Sequence, residues 1–109
     1  MNECLFCKFV SKEFKTEIVY ENKYVLAFND IAPEAPYHIL IIPKKHINSV
    51  SELKEEDSFL MGKLYLAAQE IAKQISIKDY KLIINNGKGA GQTVFHLHLH
   101  LLGGKNFNE

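Results

Sequence analysis

The stretch Val94-Phe95-His96-Leu97-His98-Leu99-His100-Leu101-Leu102 alternates histidine with large apolar residues. Successive side chains of a β-strand point to opposite faces, so the pattern predicts a strand with His96, His98 and His100 on one face. The residues between them would anchor the other face in the core: Phe95, Leu97, Leu99 and Leu101. Three imidazoles on one face are costly when they lack polar partners, so the pattern indicates a functional site.

Two chemistries suit three alternating histidines. In the first, the three imidazoles bind Zn²⁺ with one coordination position open, as in metal-dependent hydrolases and lyases. In the second, one imidazole is a nucleophile and its neighbours position a phosphate group. The alternation alone does not separate these two possibilities.

The remaining sequence predicts four further strands and one long helix. The strands are short apolar or aromatic runs: Thr16–Tyr20, Tyr24–Phe28, Tyr37–Ile42 and Lys81–Asn85. From about Glu55, apolar residues recur at helical spacing: Leu60, Leu64, Ala68, Ile71 and Ile75. Ser49 and Glu52 have the spacing of a capping box at the helix start, with Ser51 as a competing cap.

This order of elements predicts an α+β fold in which one helix covers an antiparallel five-stranded sheet. A sheet of this size leaves an edge exposed, which a homodimer would cover. The length of 109 residues predicts one domain over residues 1–109.

Composition narrows the range of partners and compartments. The 13 basic residues balance 13 acidic ones, and every basic residue is Lys, so we expect no binding to nucleic acid through bulk charge. The N-terminus does not resemble a signal peptide, and the apolar runs are too short to cross a membrane. With only two cysteines, these features predict a cytoplasmic protein.

The two cysteines form the pattern Cys4-Leu5-Phe6-Cys7. They could be small apolar residues in a short N-terminal helix, or they could be half of a structural Zn²⁺ site. A zinc site needs two further ligands, and histidine is the other suitable residue type in the chain. His46 is one candidate.

The stretch His96–Leu102 matches the pattern His-φ-His-φ-His-φ-φ, with Gly91-Gln92-Thr93 before it and Gly103-Gly104 after it. With Phe28–Ile31, Pro36–His46 and Asn85, it resembles the Hint branch of the histidine-triad (HIT) nucleotide hydrolases and transferases. The resemblance extends over roughly Cys4 to Gly104.

The resemblance implies a catalytic role for three histidines. His98 would attack the α-phosphorus of a nucleotide conjugate and form a covalent nucleotidyl-histidine, which water then hydrolyses. His100 would donate a hydrogen bond to the α-phosphate, and His38 would hydrogen-bond into this group. The implied activity is hydrolysis of adenosine 5′-phosphoramidate or related conjugates, without a catalytic cofactor.

The resemblance also implies a purine nucleotide ligand. Asp30 would accept hydrogen bonds from the ribose hydroxyls, and Asn85, Gln92 and Thr93 would surround the α-phosphate and leaving group. Apolar residues would line the purine pocket: Phe6, Phe9, Phe14, Ile18, Phe28 and Ile31.

For the cysteine pair, the resemblance implies a closed structural Zn²⁺ site. Many bacterial relatives, and the related galactose-1-phosphate uridylyltransferases, join such a pair to two histidines. Here the ligands would be Cys4, Cys7, His46 and His96. Two alternatives to the phosphoramidase remain: a zinc-dependent hydrolase that uses all three triad histidines, and a nucleotide-binding regulatory module with incidental turnover.

Overall fold

The computed structural model describes residues 3–108, whose strands form one antiparallel five-stranded sheet. The strands are β1 (Ile18–Glu21), β2 (Val25–Asn29), β3 (Tyr37–Pro43), β4 (Tyr80–Ile83) and β5 (Leu99–Gly103). The helices are α1 (Leu5–Val10) and α2 (Ser58–Gln74). Across the sheet the order is β1-β2-β3-β5-β4, which confirms the predicted α+β architecture.

The centre of the sheet is buried on both faces, because alternate residues of β3 enter different apolar clusters. Ile39 and Ile41 belong to the cluster that α2 covers. Leu40 and Ile42 belong to a second cluster with Phe6 of α1. The nearly continuous apolar run of β3 follows from this burial, and β3 lies between β2 and β5 as such a run predicts.

Helix α2 presents the predicted apolar stripe to the sheet. Leu64, Ala68 and Ile71 are buried in the cluster on that face, and Leu60 and Ile75 pack against it. In the part of the chain that the structure describes, no helix combines the length and apolarity needed to cross a membrane.

Helix α2 begins at Ser58, later than the capping-box spacing of Ser49 indicated. The residues after Ser49 form a 3-10 turn, Val50–Glu52, and the Ser49 side chain makes no capping hydrogen bond there. Buried Asp57, just before the helix, instead accepts a hydrogen bond from Lys45 Nζ at 2.6 Å. The predicted cap is therefore wrong, because the helix start is held by a tertiary contact that a local motif does not reveal.

Strand β5 is shorter than the predicted Val94–Leu102, so His96 and His98 precede it. The pairing of Ile41 with Leu99, if continued, would place Pro43 opposite Leu97. Proline has no N–H to donate to the ladder. The Leu97 N–H donates instead to the carbonyl of Ile47, at 2.7 Å.

The alternation of faces nevertheless persists through most of this segment. Leu97, Leu99 and Leu101 are buried in the cluster under α2. Phe95 is the exception: its side chain is 46% exposed, so its predicted role as an anchor is wrong. Phe95 precedes Leu97, whose N–H donates to the carbonyl of Ile47 and so fixes the backbone from that residue onward.

Candidate functional site

His98 lies in a buried position with one ring nitrogen held by the backbone. Its Nδ1 is 2.8 Å from the carbonyl oxygen of His96, and a carbonyl only accepts, so Nδ1–H is the donor. The neutral ring therefore keeps a lone pair on Nε2. Burial lowers the pKa of His98 below its ordinary value, so the ring is neutral at pH 7.

His100 and His38 form a directed hydrogen-bond chain beside His98. The backbone N–H of Glu34 donates to His38 Nδ1 at 3.0 Å, so neutral His38 carries its proton on Nε2. That Nε2 lies 2.9 Å from His100 Nδ1, which therefore accepts. Neutral His100 consequently carries its own proton on Nε2. Burial, and then the neighbouring His98 and His38, lower the pKa of His100 to about 4.

A cavity of about 250 Å³ opens beside His98 and His100. Its wall includes the predicted aromatic residues Phe6 and Phe28, whose rings contact edge to face at 5.2 Å between centroids. The Phe6 ring also meets the His98 ring at 5.3 Å, with the planes at 87°. The other lining residues are Leu5, Phe9, Thr16, Asn29, Asp30, Ile31, Leu40, Thr93 and Val94.

The remaining predicted apolar residues of the pocket differ in position. Ile31 lines the cavity although its side chain is 99% exposed, so it lies at the rim. Phe14 and Ile18 do not line the cavity. The Phe14 ring instead lies under Lys8 Nζ, 4.8 Å from the ring centroid, and Ile18 is in the edge strand β1.

Asp30 and Thr93 line the cavity as predicted for ligand-binding residues, but Asn85 and Gln92 do not. Asn85 Nδ2 donates to the carbonyl of Ala90 at 2.9 Å. The buried Gln92 side chain accepts from the Gly87 N–H at 2.8 Å and donates to the backbone carbonyls of Asn48 and Val94. The structure therefore does not bring these two amides to the cavity, because both hold the loop between β4 and β5.

Cys4, Cys7, His46 and His96 converge at one end of the sheet, with their potential ligand atoms all within 4.8 Å of one another. His96 Nδ1 lies 3.4 Å from Cys4 Sγ and 3.5 Å from Cys7 Sγ. His46 Nδ1 lies 3.2 Å from both Cys7 Sγ and His96 Nδ1. Ligands of a tetrahedral Zn²⁺ ion are separated by about 3.3–3.8 Å at ordinary zinc–ligand distances, so these spacings fit a metal.

The ring nitrogens of this cluster also fit a cation. His96 Nε2–H donates to the carbonyl of Pro43 at 2.8 Å, and His46 Nε2–H donates to Asn48 Oδ1 at 2.6 Å. The neutral rings thus direct two Nδ1 lone pairs at each other across 3.2 Å. A bound metal ion would satisfy both lone pairs. Burial, and then the neighbouring His46, lower the pKa of His96 to about 4.

The three triad histidines do not form a common ligand set among residues 3–108. His96 groups with the cysteines and His46, whereas His100 groups with Asp30 and His38. His98 belongs to neither group. The zinc-dependent alternative that used all three triad histidines as ligands is therefore wrong, because their ring nitrogens face different partners.

Comparison with known proteins identifies the family of this fold and site. The model of the HIT domain matches residues 11–107. The chain belongs to the HIT family. An uncharacterized HIT-like protein of Synechocystis, slr1234, is 48% identical to this HIT protein over 107 residues, which are 97% of this chain and 94% of that relative.

Solved structures of HIT proteins share the fold over nearly the whole chain. A HIT family hydrolase from Clostridium thermocellum is 45% identical, has a TM-score of 0.96, and is matched over 100% of this chain and 96% of that one. A HIT family hydrolase from Legionella pneumophila is 42% identical with a TM-score of 0.94, over 97% of this chain and 96% of that one.

Sequence reasoning missed two groups that organise the site. The Glu34 backbone N–H sets the tautomer of His38, and the Asn48 side chain sets that of His46. Glu34 lies between Pro33 and Pro36, in the segment that joins two predicted strands, and Asn48 belongs to no motif. Neither contact has a signal at the level of residue type and spacing.

Proposed function

We propose that this HIT protein hydrolyses purine nucleotide conjugates of the adenosine 5′-phosphoramidate type through a covalent nucleotidyl intermediate on His98. The observation that carries the proposal is the hydrogen bond from His98 Nδ1–H to the His96 carbonyl at 2.8 Å, which leaves Nε2 with a lone pair. A neutral, oriented imidazole is a competent nucleophile at pH 7. Two similar solved structures are named HIT family hydrolases, which supports hydrolysis as the type of reaction.

In the first step, His98 Nε2 attacks the α-phosphorus and forms a phosphorus–nitrogen bond. The bond from phosphorus to the leaving nitrogen breaks with its electron pair on that nitrogen, which takes up a proton from solvent and departs as ammonia or, from a substituted conjugate, as an amine. Water then adds to phosphorus and loses a proton, while the bond to His98 breaks and returns its electron pair to Nε2. The products are ammonia or the amine and a nucleoside monophosphate, and the proton that water loses to solvent balances the one taken up by the leaving nitrogen.

The neighbouring groups stabilise the charge that develops on the phosphate. His100 Nε2–H donates to a phosphate oxygen, because His100 Nδ1 already accepts from His38 at 2.9 Å. His38 acts as a positioning residue, held in its donor state by the Glu34 N–H. We propose that the reaction needs no catalytic cofactor, because imidazoles supply both the nucleophile and the hydrogen-bond donor to the phosphate.

The cavity supplies contacts for the nucleoside. Phe6 and Phe28 offer an aromatic wall to a purine base, and Ile31 covers it from the rim. Asp30 Oδ1 accepts from the Ala32 N–H at 2.8 Å, and Oδ2 lies 3.4 Å from His38 Nε2. Each carboxylate oxygen has a second lone pair, which can accept from the ribose hydroxyls. We propose neither nucleic acid nor membrane as a partner, because the net charge is zero and the basic groups are dispersed lysines.

Mass spectrometry after rapid mixing with nucleotide conjugates tests this function. We expect the peptide containing His98 to gain one nucleotidyl group, with fragmentation placing it on that residue. Samples are denatured at alkaline pH, because phosphorus–nitrogen adducts of histidine hydrolyse in acid. Tight nucleotide binding with no adduct and no turnover of any adenosine or guanosine conjugate would favour the regulatory module instead.

We propose that Cys4, Cys7, His46 and His96 hold a structural Zn²⁺ ion. The group offers four protein ligands, so a bound ion would have a closed tetrahedral shell and would stabilise the fold rather than activate water. Cys4 and Cys7 must be reduced to bind the metal, and thiols are kept reduced in the cytoplasm, so we propose a cytoplasmic location.

We propose that the protein is a homodimer. Strand β4 is at one edge of the sheet, next to an open depression lined by Asp79–Lys81 and Lys105–Asn108. A second copy would cover this edge, where unpaired backbone groups otherwise promote association with other chains. Sedimentation equilibrium is expected to give twice the chain mass, and a monomer mass at high protein concentration would contradict the proposal.

A further inference from the structure

We propose that Asn48 is a positioning residue of the metal site, because its side chain determines which nitrogen of His46 faces the other ligands. The inference rests on the structural metal site proposed above. It concerns a residue outside the set Cys4, Cys7, His46 and His96.

The contact between Asn48 and His46 has a defined direction. Asn48 Oδ1 lies 2.6 Å from His46 Nε2, and an amide oxygen only accepts, so the ring must donate from Nε2. The amide orientation is itself set by Glu52, whose carboxylate oxygens lie 3.4 and 3.5 Å from Asn48 Nδ2. A carboxylate accepts and cannot donate, so Nδ2 faces Glu52 and Oδ1 faces His46.

His46 depends on this contact more than the other histidine ligand does. His96 is fully buried, and its Nε2–H is fixed by the backbone carbonyl of Pro43. His46 is exposed, and outside the cysteine and histidine cluster its ring hydrogen-bonds to Asn48. With no acceptor at Nε2, the neutral ring could carry its proton on Nδ1 instead, and that nitrogen could then no longer bind a metal.

Two hydrogen bonds hold the backbone around Asn48, one from Gln92 before the triad and one from Leu97 within it. The backbone carbonyl of Asn48 accepts from the buried side chain of Gln92 at 2.7 Å. The carbonyl of Ile47, one residue before, accepts from the Leu97 N–H at 2.7 Å. These contacts give Gln92 a role different from phosphate binding: it supports the backbone that carries the acceptor for His46.

Replacing Asn48 with alanine is expected to weaken Zn²⁺ and Co²⁺ binding by about 10–100-fold, the usual cost of removing a partner of a metal-binding histidine. Asn48→Asp keeps an oxygen acceptor for His46 Nε2–H and is expected to restore most of the affinity. It is made in a Glu52→Gln background, because the Glu52 carboxylate, which faces Asn48 Nδ2 at 3.4 and 3.5 Å, would repel an aspartate at this position. Asn86→Ala is the matched control, because Asn86 Oδ1 accepts from the Ser51 N–H at 2.7 Å without contacting the cluster. Its affinity should equal that of wild type, since no partner of a metal-binding histidine is removed.

The affinities are measured by competition with a chromophoric chelator, and long-range ¹H–¹⁵N spectra of the metal-free proteins report the histidine tautomers. We expect His46 to carry its proton on Nε2 in wild type and Asn48→Asp, and to show both tautomers in Asn48→Ala. Equal affinities of wild type and Asn48→Ala, or equal losses in the alanine and aspartate variants, would overturn the role of Asn48 alone. Failure of the wild-type protein to bind either metal would overturn the metal site as well.

Discussion

Replacing His98 with alanine is expected to reduce turnover of adenosine 5′-phosphoramidate by more than about 10³-fold, since loss of a nucleophile removes the covalent route. Binding of AMP is expected to change only a few-fold. The cavity wall that would hold the base is built from other residues, among them Phe6 and Phe28. Steady-state kinetics and calorimetric titration with AMP measure the two quantities separately.

No neighbouring imidazole can take over the attack. His96 donates from Nε2 to the Pro43 carbonyl and directs Nδ1 at the cysteines and His46. His100 Nδ1 accepts from His38, so its remaining nitrogen carries a proton. Among the three triad histidines, His98 Nε2 therefore has the one lone pair that faces neither another ring nor the cysteines.

Phe95→Ala is the control for this variant. Phe95 belongs to the same segment but is 46% exposed and does not line the cavity. Its turnover should remain close to that of wild type, so a matching loss in both variants would indicate local disruption of the segment. Unchanged turnover in His98→Ala would contradict the assignment of His98 as nucleophile.

The faces of the triad segment could be predicted because they follow from a period of two residues. Leu97, Leu99 and Leu101 reach the core under α2 as the alternation requires. The length of the strand could not be predicted in the same way. It depends on Pro43, which lies in another strand and offers no N–H at the position where the ladder would continue.

The polar residues around the predicted ligand were harder to assign than the histidines. Asn85 and Gln92 both lie near the triad in sequence, yet their amides are bonded to the backbone of the loop they flank. An amide can serve a ligand or a backbone group equally well, so residue type does not decide between them. Which partner it finds depends on the path of the loop, which is a tertiary property.

The different roles of the three triad histidines could also not be assigned without the fold. The spacing of residues made His96, His98 and His100 equivalent, since all three belong to one face of a strand. The structure distinguishes them because α1 brings Cys4 and Cys7 against His96, while β3 brings His38 against His100. The resemblance to the HIT family implied this division, and the residue pattern by itself left it open.

Removing the metal is expected to lower the melting temperature by about 10–20 °C. A ligand at 100 times its dissociation constant stabilises the folded state by about 2.7 kcal/mol, and each kcal/mol corresponds to about 4–8 °C in a domain of nearly this size. The double variant Cys4→Ser/Cys7→Ser should show the same loss, because two of the four ligands are gone. Adding a chelator to this variant should lower its melting temperature no further, which provides the control.

The loss of stability should be accompanied by a smaller loss of turnover, because the metal site and the nucleophile share structural parts. His96 would supply a side-chain ligand, and its backbone carbonyl accepts the hydrogen bond that orients His98. Phe6 lies between the two cysteines in sequence, and its ring contacts both His96 and His98. If α1 loosened, Phe6 would move and the cavity would widen. Substrate binding would therefore weaken more than the rate of attack by His98.

Comparing the loss of thermal stability with the loss of turnover after chelation distinguishes a structural metal from a catalytic one. For a structural ion, kinetics of the chelated protein below its lowered melting temperature should show mainly a raised KM, with kcat reduced far less than in His98→Ala. Collapse of kcat after chelation, with melting temperature and nucleotide binding unchanged, would mean that the metal takes part in the reaction. Such a result would contradict the structural role proposed for the metal, because four protein ligands, Cys4, Cys7, His46 and His96, would leave no coordination position for a substrate.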